Sequence, residues 1–251
     1  MIQLVSYRSG LGRSKRIECT IDILNSAAEP FVMFSGHTLF EQEDVFSVES
    51  GLTNKHVTAL LEVRHVKSSS FLNNEHCLFL VRNGEVHNMF SQQLFATSKE
   101  IKNNADLAER LLLELEQRRK IEVEGKRCLI LQCGENNILT NIQSEHNRAV
   151  FRFSDNMVLS KRFQTLLEDT DIILNPMHTP MGNQGKMQKR REYLSADNRY
   201  YFSCSNTRSR DRQRQMREGS LQHKLQYAYR NSLPILPYDN KITKDCRVQY
   251  F

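Results

Sequence analysis

Apolar residues come along this chain in short runs that alternate with segments of helical spacing. MIQLVSY has the length of a strand, and Ile17, Ile21, Leu24 and Ala28 then recur at helical intervals between Ile17 and Ala28. Strand followed by helix is the first half of a βα unit. PFVMFSG is an apolar run of strand length that stops at Ser35-Gly36, as a buried parallel strand does. That puts His37 to Glu41 at a strand's carboxyl end, where open α/β folds place their sites.

Val57 to Val66 and His76 to Phe95 read as further strands. The second is a hairpin turning at Asn83-Gly84, a pair suited to a two-residue primed turn. DLAERLLLELEQ sets Leu107, Ala108, Leu111, Leu112 and Leu115 on one face and its glutamates on the other, which predicts an amphipathic helix. IEVEG and KRCLILQCG are strands joined at Glu124-Gly125, with Cys133 where the second one stops. RFQTLLEDT then reads as helix, DIILNP as a buried strand halted by Pro176, KMQKRREYLSADN as helix and RYYFSCSN as strand. Residues 1–231 form one expected domain. Residues 232–251 contain Pro234 and Pro237, lack a strong period, and read as an extended arm packing on the body or on a second copy.

Composition narrows the classes. The 251 residues suffice for one large α/β domain. No apolar run approaches the about 18 residues of a membrane span, and the first residues are too short an apolar stretch for a signal peptide, so a cytoplasmic protein with no membrane partner is expected. Cys19, Cys77, Cys128, Cys133, Cys204 and Cys246 are scattered, with no CxxC pair and no zinc-like spacing, and read as free thiols. No metal and no cofactor are expected. A Gly-rich phosphate loop is absent, which removes support for P-loop nucleotide hydrolysis.

LILQCGENN holds the candidate chemistry. A cysteine ending an apolar strand is commonly a small buried hydrophobe. The order of parts around Cys133, however, resembles that of the nitrilase or carbon–nitrogen hydrolase superfamily from about Met1 to Asn206. FVMFSGH, RNGEVHNMFSQQLF and LILQCGE occupy, in order, the places of that family's Pro-Glu strand end, its aromatic-basic-Lys segment and its nucleophile strand. DIILNP is similar to its strand entering a Pro-Ser or Pro-Thr loop, and SADNRYYFSCSN to its Ala-x-Glu-Asn helix end with a strand closing on Asn. The resemblance implies a four-layer α-β-β-α sandwich, an oligomer of identical chains and an amide-type or nitrile ligand. It also implies a Glu base, an oxyanion-stabilising Lys and a Cys nucleophile that acts on a C–N bond.

Of these three groups only Cys133 matches. The Pro-Glu place falls on Ser35-Gly36, and the Lys place on Gln92 or Gln93 according to register. A thiol of ordinary pKa, about 8.5, needs a base or a nearby cation. His37 beside Gly36, and His178 in NPMHTP, are candidates to supply one, and each has solvated loop histidine as its plainer reading. Glu135 is either a catalytic acid or a turn acid capping the backbone. Gly36, His178 and Glu100, the last resembling the acid that follows the family's Lys, are placed along the substrate pocket; Lys99 reads as a solvated surface lysine.

Charge adds one feature. Between Lys186 and Arg217 ten basic and three acidic residues give +7, more than the +6 of the whole chain. Arg208, Arg210, Arg212 and Arg214 suit phosphate contact without base readout, and Arg190 and Arg191 on the preceding helix could line the same face; a solvated loop fits equally. Three functions follow: a hydrolase with a non-standard base, a non-catalytic subunit or sensor of the same fold, and a nucleic-acid-associated component.

Overall fold

The computed structural model describes residues 1–64, 77–178, 180, 183–207 and 225–251. In chain order, β1 (Ile2–Tyr7), α1 (Arg13–Asn25), β2 (Phe31–Phe34), α2 (Gln42–Gly51), β3 (Thr58–Glu62), β4 (Leu78–Arg82) and β5 (Glu85–Phe90) build the first sheet and its helices. Next come α3 (Ser98–Ile101), α4 (Ala105–Gln117), β6 (Lys120–Val123), β7 (Lys126–Ile130) and a 3-10 turn at Cys133–Ile138. A small hairpin, β8 (Leu139–Ile142) with β9 (Arg148–Phe151), leads to α5 (Met157–Glu168), β10 (Ile172–Met177), α6 (Gln184–Leu194) and β11 (Tyr200–Ser205). The chain ends in β12 (Gln226–Arg230), β13 (Leu233–Ile235), β14 (Asp239–Ile242) and β15 (Cys246–Tyr250).

Among the described residues one sheet runs β14-β15-β1-β2-β3-β4-β5 and the other β13-β12-β11-β10-β7-β6. The inner strands β1, β2 and β3 are parallel, as are β7, β10 and β11. Successive side chains of one strand enter different layers, because a strand points them alternately to its two faces. Leu4, Phe31, Met33 and Leu60 meet Ile130, Leu174 and Phe202 between the sheets. Val5, Val32 and Phe34 pack with Leu24, Val45 and Val48 of α1 and α2. Leu129 and Ile173 pack with Leu111, Leu112, Leu115, Phe163 and Leu166 of α4 and α5. The result is the expected α-β-β-α order of layers. Burial on both faces is why these strands read as continuous apolar runs.

The expected primed turn is present at Asn83 and Gly84, with φ of 56° and 80°, and the junction at Glu124 and Gly125 is a second, with φ of 49° and 71°. The amphipathic helix is α4, with Asn104 as its N-cap accepting the Leu107 N–H at 3.0 Å. Asn104→Ala is expected to cost about 1 kcal/mol, read as a melting temperature lower by about 2–4 °C.

Differences from expectation have local causes. The pattern did not reveal α2 or the β8–β9 hairpin. β10 includes Pro176 instead of stopping there; β7 pairs with β10 only up to Leu174, so the missing proline N–H interrupts no ladder on that side. Residues 232–251 contribute strands to both sheets: Leu233–Ile235 pairs with β12, and β15 lies between β14 and β1.

Candidate functional site

The carboxyl ends of the two parallel strand sets meet. Gly36, just past β2, donates its N–H to the Met177 carbonyl on β10 at 2.9 Å, joining one sheet to the other. Asn206, past β11, accepts from the Tyr7 N–H at 3.0 Å and from the Ser35 hydroxyl at 2.5 Å, and donates to the Gly36 carbonyl at 2.7 Å. These bonds lock β1, β2, β10 and β11 together at one rim.

Cys133 leaves the second sheet at this rim. Leu174 lies beside Ile130 in the β7–β10 register, and Leu131 N–H bonds the Leu174 carbonyl at 2.9 Å. Three residues beyond Ile130 on one strand, and four beyond Leu174 on the other, are Cys133 and His178. Cys133 is half-buried and opens the 3-10 turn. Asn175 fixes that turn from below, accepting from Asn136 Nδ2 at 2.6 Å and from the Tyr201 hydroxyl at 2.7 Å. Burial pushes the Tyr201 phenol up, Arg191 opposes this, and the Cys133 thiol adds to the rise, so all three groups lie within electrostatic reach of one another.

The loop after β5 presses on the same turn. Gly134 N–H donates to Gln93 Oε1 at 2.8 Å, and a Cβ on Gly134 would run into the Phe95 carbonyl and Ala96, so a glycine must follow Cys133. Gln93 is therefore the glutamine brought to Cys133. Gln92 is exposed, and its carbonyl accepts from Arg119 at 3.3 Å.

Glu135 is a clamp. Its fully buried carboxylate accepts from Gln132 N–H at 2.9 Å and Leu94 N–H at 3.1 Å, and faces Arg119 Nη1 at 3.6 Å. Burial raises its pKa, while Arg119 and the two amides pull the other way. The turn-capping reading is the one its contacts support. Glu100 is exposed and caps α3 through the Ala96 and Thr97 N–H groups at 2.6 and 3.1 Å.

His37 and His178 are brought together by a residue the sequence reading missed. Glu62, at the end of β3 and fully buried, accepts from the His37 N–H at 3.3 Å and bonds His178 Nε2 at 3.0 Å. The two imidazoles stack at 3.6 Å between centroids, 14° from parallel. His37 reaches this position with φ of 56°, in the left-handed region. Gly36 makes room: a Cβ there would collide with Glu62 Oε2 and His178 Cδ2 and lie 3.0 Å from the Met177 carbonyl carbon. The available signal for Glu62 was a charged residue inside the apolar run TALLEV.

Arg190 and Arg191 are corrected. Both are buried, so neither lines an outer basic face. Arg190 bonds the Asn136 carbonyl, Asn137 Oδ1 and Asn141 Oδ1 at 3.0 to 3.2 Å and braces the Cys133 turn; burial, then repulsion from Arg152, lowers its pKa to about 10. Arg191 lies 3.4 Å over the Tyr227 ring. Arg208, Arg210, Arg212 and Arg214 lie outside the described residues. No helix among the described residues is long and apolar enough to cross a membrane.

No family model and no curated protein matches the sequence. Solved structures do match the fold. An amidase from Nesterenkonia sp. aligns with TM-score 0.54 at 10% identity, over 100% of this chain and 89% of its own. A mutant of the Nesterenkonia AN1 amidase, named as from the nitrilase superfamily, aligns with TM-score 0.54 at 9% identity over the same shares. A glutamine-dependent NAD(+) synthetase from Cytophaga hutchinsonii aligns with TM-score 0.54 at 10% identity; 98% of this chain spans 42% of that enzyme. With its two sheets, flanking helices and rim at the parallel strand ends, the chain has the fold of the nitrilase-superfamily amidases.

Proposed function

We propose that the protein hydrolyses a C–N bond of amide-type substrates, with Cys133 as nucleophile and the Glu62–His178 pair as base. One observation carries this reading. The Glu62 carboxylate fills the space that a side chain on Gly36 would take, so the neighbouring strand β3 returns a carboxylate to the place where the resemblance expects one.

The chemistry then runs in two halves. The thiol proton passes to the Glu62–His178 pair as sulfur bonds to the carbonyl carbon, and the carbonyl π pair moves onto oxygen, where the Gln93 amide NH2 is the nearby donor. Collapse of the tetrahedral intermediate breaks the C–N bond, and the amine leaves with the proton held by the pair. Water, deprotonated by the same pair, attacks the thioester carbon; the acid departs and the thiol is restored.

A second reading is a subunit or sensor of this fold that binds such a ligand without turning it over. Its supporting observation is the Gly134 N–H, already bonded to Gln93 Oε1 beside the nucleophile.

Fluoroacetamide separates the two, since a mutant of the Nesterenkonia amidase carries its acetamide moiety covalently at the active site cysteine. Intact mass and peptide mapping are expected to show one adduct, at Cys133, and ammonia release from short amides that is lost in Cys133→Ala. In Glu62→Gln both rates are expected to fall about 10²–10⁴-fold, the usual contribution of a positioned base. An adduct without ammonia release favours the sensor. Labelling of Cys133 no faster than of half-buried Cys19 overturns the hydrolase.

A further inference from the structure

We infer that His37, Glu62 and His178 form a binding site for one zinc-type divalent transition-metal ion. One ligand atom from each, two imidazole nitrogens and a carboxylate oxygen, all lie within 4.8 Å of one another. The three come from the ends of β2, β3 and β10, so both sheets supply ligands. The chain separations explain why no metal motif is visible in the sequence: 25 residues part His37 from Glu62 and 116 part Glu62 from His178.

The site is built. The Gly36–Met177 backbone bond ties two of its three strand ends, and Gly36 keeps the space clear of a Cβ. His37 Nε2 is buried and the Glu62 side chain is 0% exposed, whereas His178 is 17% exposed and faces the rim. His37 accepts a left-handed backbone, a cost for any residue with a Cβ, in the conformation that lays its ring against His178. A buried carboxylate gains from a cation, and the two stacked imidazoles, whose in-plane lone pairs run nearly parallel, would turn out of the stack to converge on it.

Donor chemistry selects the ion. Two nitrogens with one oxygen suit zinc, cobalt or nickel, while calcium and magnesium prefer oxygen-only sets. Three protein ligands with a fourth position left to solvent is an open arrangement that zinc takes in proteins, unlike the closed four-ligand set of structural sites. Such an ion would take the lone pairs that the proposed base uses, so occupancy would suppress Cys133. That last consequence rests on the hydrolase reading; the site itself does not.

The test uses the chelator-stripped full chain. Titration with Zn²⁺ by calorimetry is expected to give one ion per chain, and Co²⁺ to give the visible absorption of a nitrogen and oxygen site with no thiolate charge-transfer band. His37→Asn and His178→Gln should each weaken binding more than about 100-fold, beyond what loss of an outer-shell partner costs, with melting curves checking that each variant folds. Cys133→Ser should bind as the parent does. No binding by the parent, binding retained in both histidine variants, or a cobalt–thiolate band lost in Cys133→Ser would overturn the site. One equivalent of Zn²⁺ should also slow fluoroacetamide labelling of Cys133. Unchanged labelling with confirmed binding leaves the site standing and removes Glu62–His178 as the base.

Discussion

Arg119→Met is expected to destabilise the protein by about 3–5 kcal/mol at neutral pH, the usual cost of stripping one partner from a buried ion pair. Arg119 is 0% exposed. It donates to Glu114 Oε1 at 3.2 Å and to the Ser91 and Gln92 carbonyls at 2.9 and 3.3 Å, and it faces the buried Glu135 carboxylate at 3.6 Å. Methionine fills similar volume but leaves that carboxylate to two backbone amides. Burial already raises the Glu135 pKa and Arg119 opposes the rise, so the variant's carboxyl goes higher still. An acid whose folded pKa lies above its unfolded value binds a proton on folding. Its contribution is therefore greatest below the ordinary carboxyl range and declines as pH climbs through the folded pKa. Urea midpoints at pH 5 and pH 7 check this, with the larger penalty expected at pH 7. An equal penalty at both, or one under about 1 kcal/mol, would mean that the pair does not hold the Cys133 turn.

Gly36→Ala is expected to disable the rim while leaving the fold. The added methyl meets Glu62 Oε2, His178 Cδ2 and the Met177 carbonyl carbon, and the last is backbone tied to Gly36 by a 2.9 Å hydrogen bond. Overpacking of this kind costs about 1–3 kcal/mol. At about 2–4 °C per kcal/mol for a chain of this size, melting should drop several degrees. Cys133 labelling should slow as in Glu62→Gln, and Zn²⁺ binding should be lost. Gly125→Ala is the control: its Cβ meets nothing within 4 Å and only its φ of 71° objects, so about 1 kcal/mol is expected with labelling unchanged. Equal effects at Gly36 and Gly125 would sink the steric account of the rim.

What the sequence reveals depends on whether a signal is local. Asn83-Gly84 and Glu124-Gly125 announce their turns because both central residues must adopt positive φ. The α4 stripe is equally local. Thr97 to Glu100 spells a capping box, so the helix-capping role of Glu100 is legible in the sequence. Pro234 argued against a strand, yet β13 is an edge of its sheet, where a missing N–H is tolerated. Glu62 and Arg119 were hidden for another reason: each draws its meaning from a partner on a different strand or loop, and spacing along the chain carries no trace of it. The two glutamines show the limit most directly, since a one-residue shift decides which of Gln92 and Gln93 meets Gly134, and only the packed loop sets that shift.

The pairing of β15 with β1 bears on how the chain assembles during synthesis. Ile2 and Phe251 exchange backbone hydrogen bonds at 3.0 Å in both directions, and Gln3 to Tyr7 lie alongside Cys246 to Tyr250. The first sheet thus gains an inner strand only once the chain has been made as far as Tyr250. Until then β1 presents an open hydrogen-bonding edge on the ribosome, beside apolar faces meant for the second sheet. Contacts of such long sequence separation close slowly. The interval before β15 arrives is when the nascent chain is most exposed to strand-edge association, and when a chaperone has most to protect.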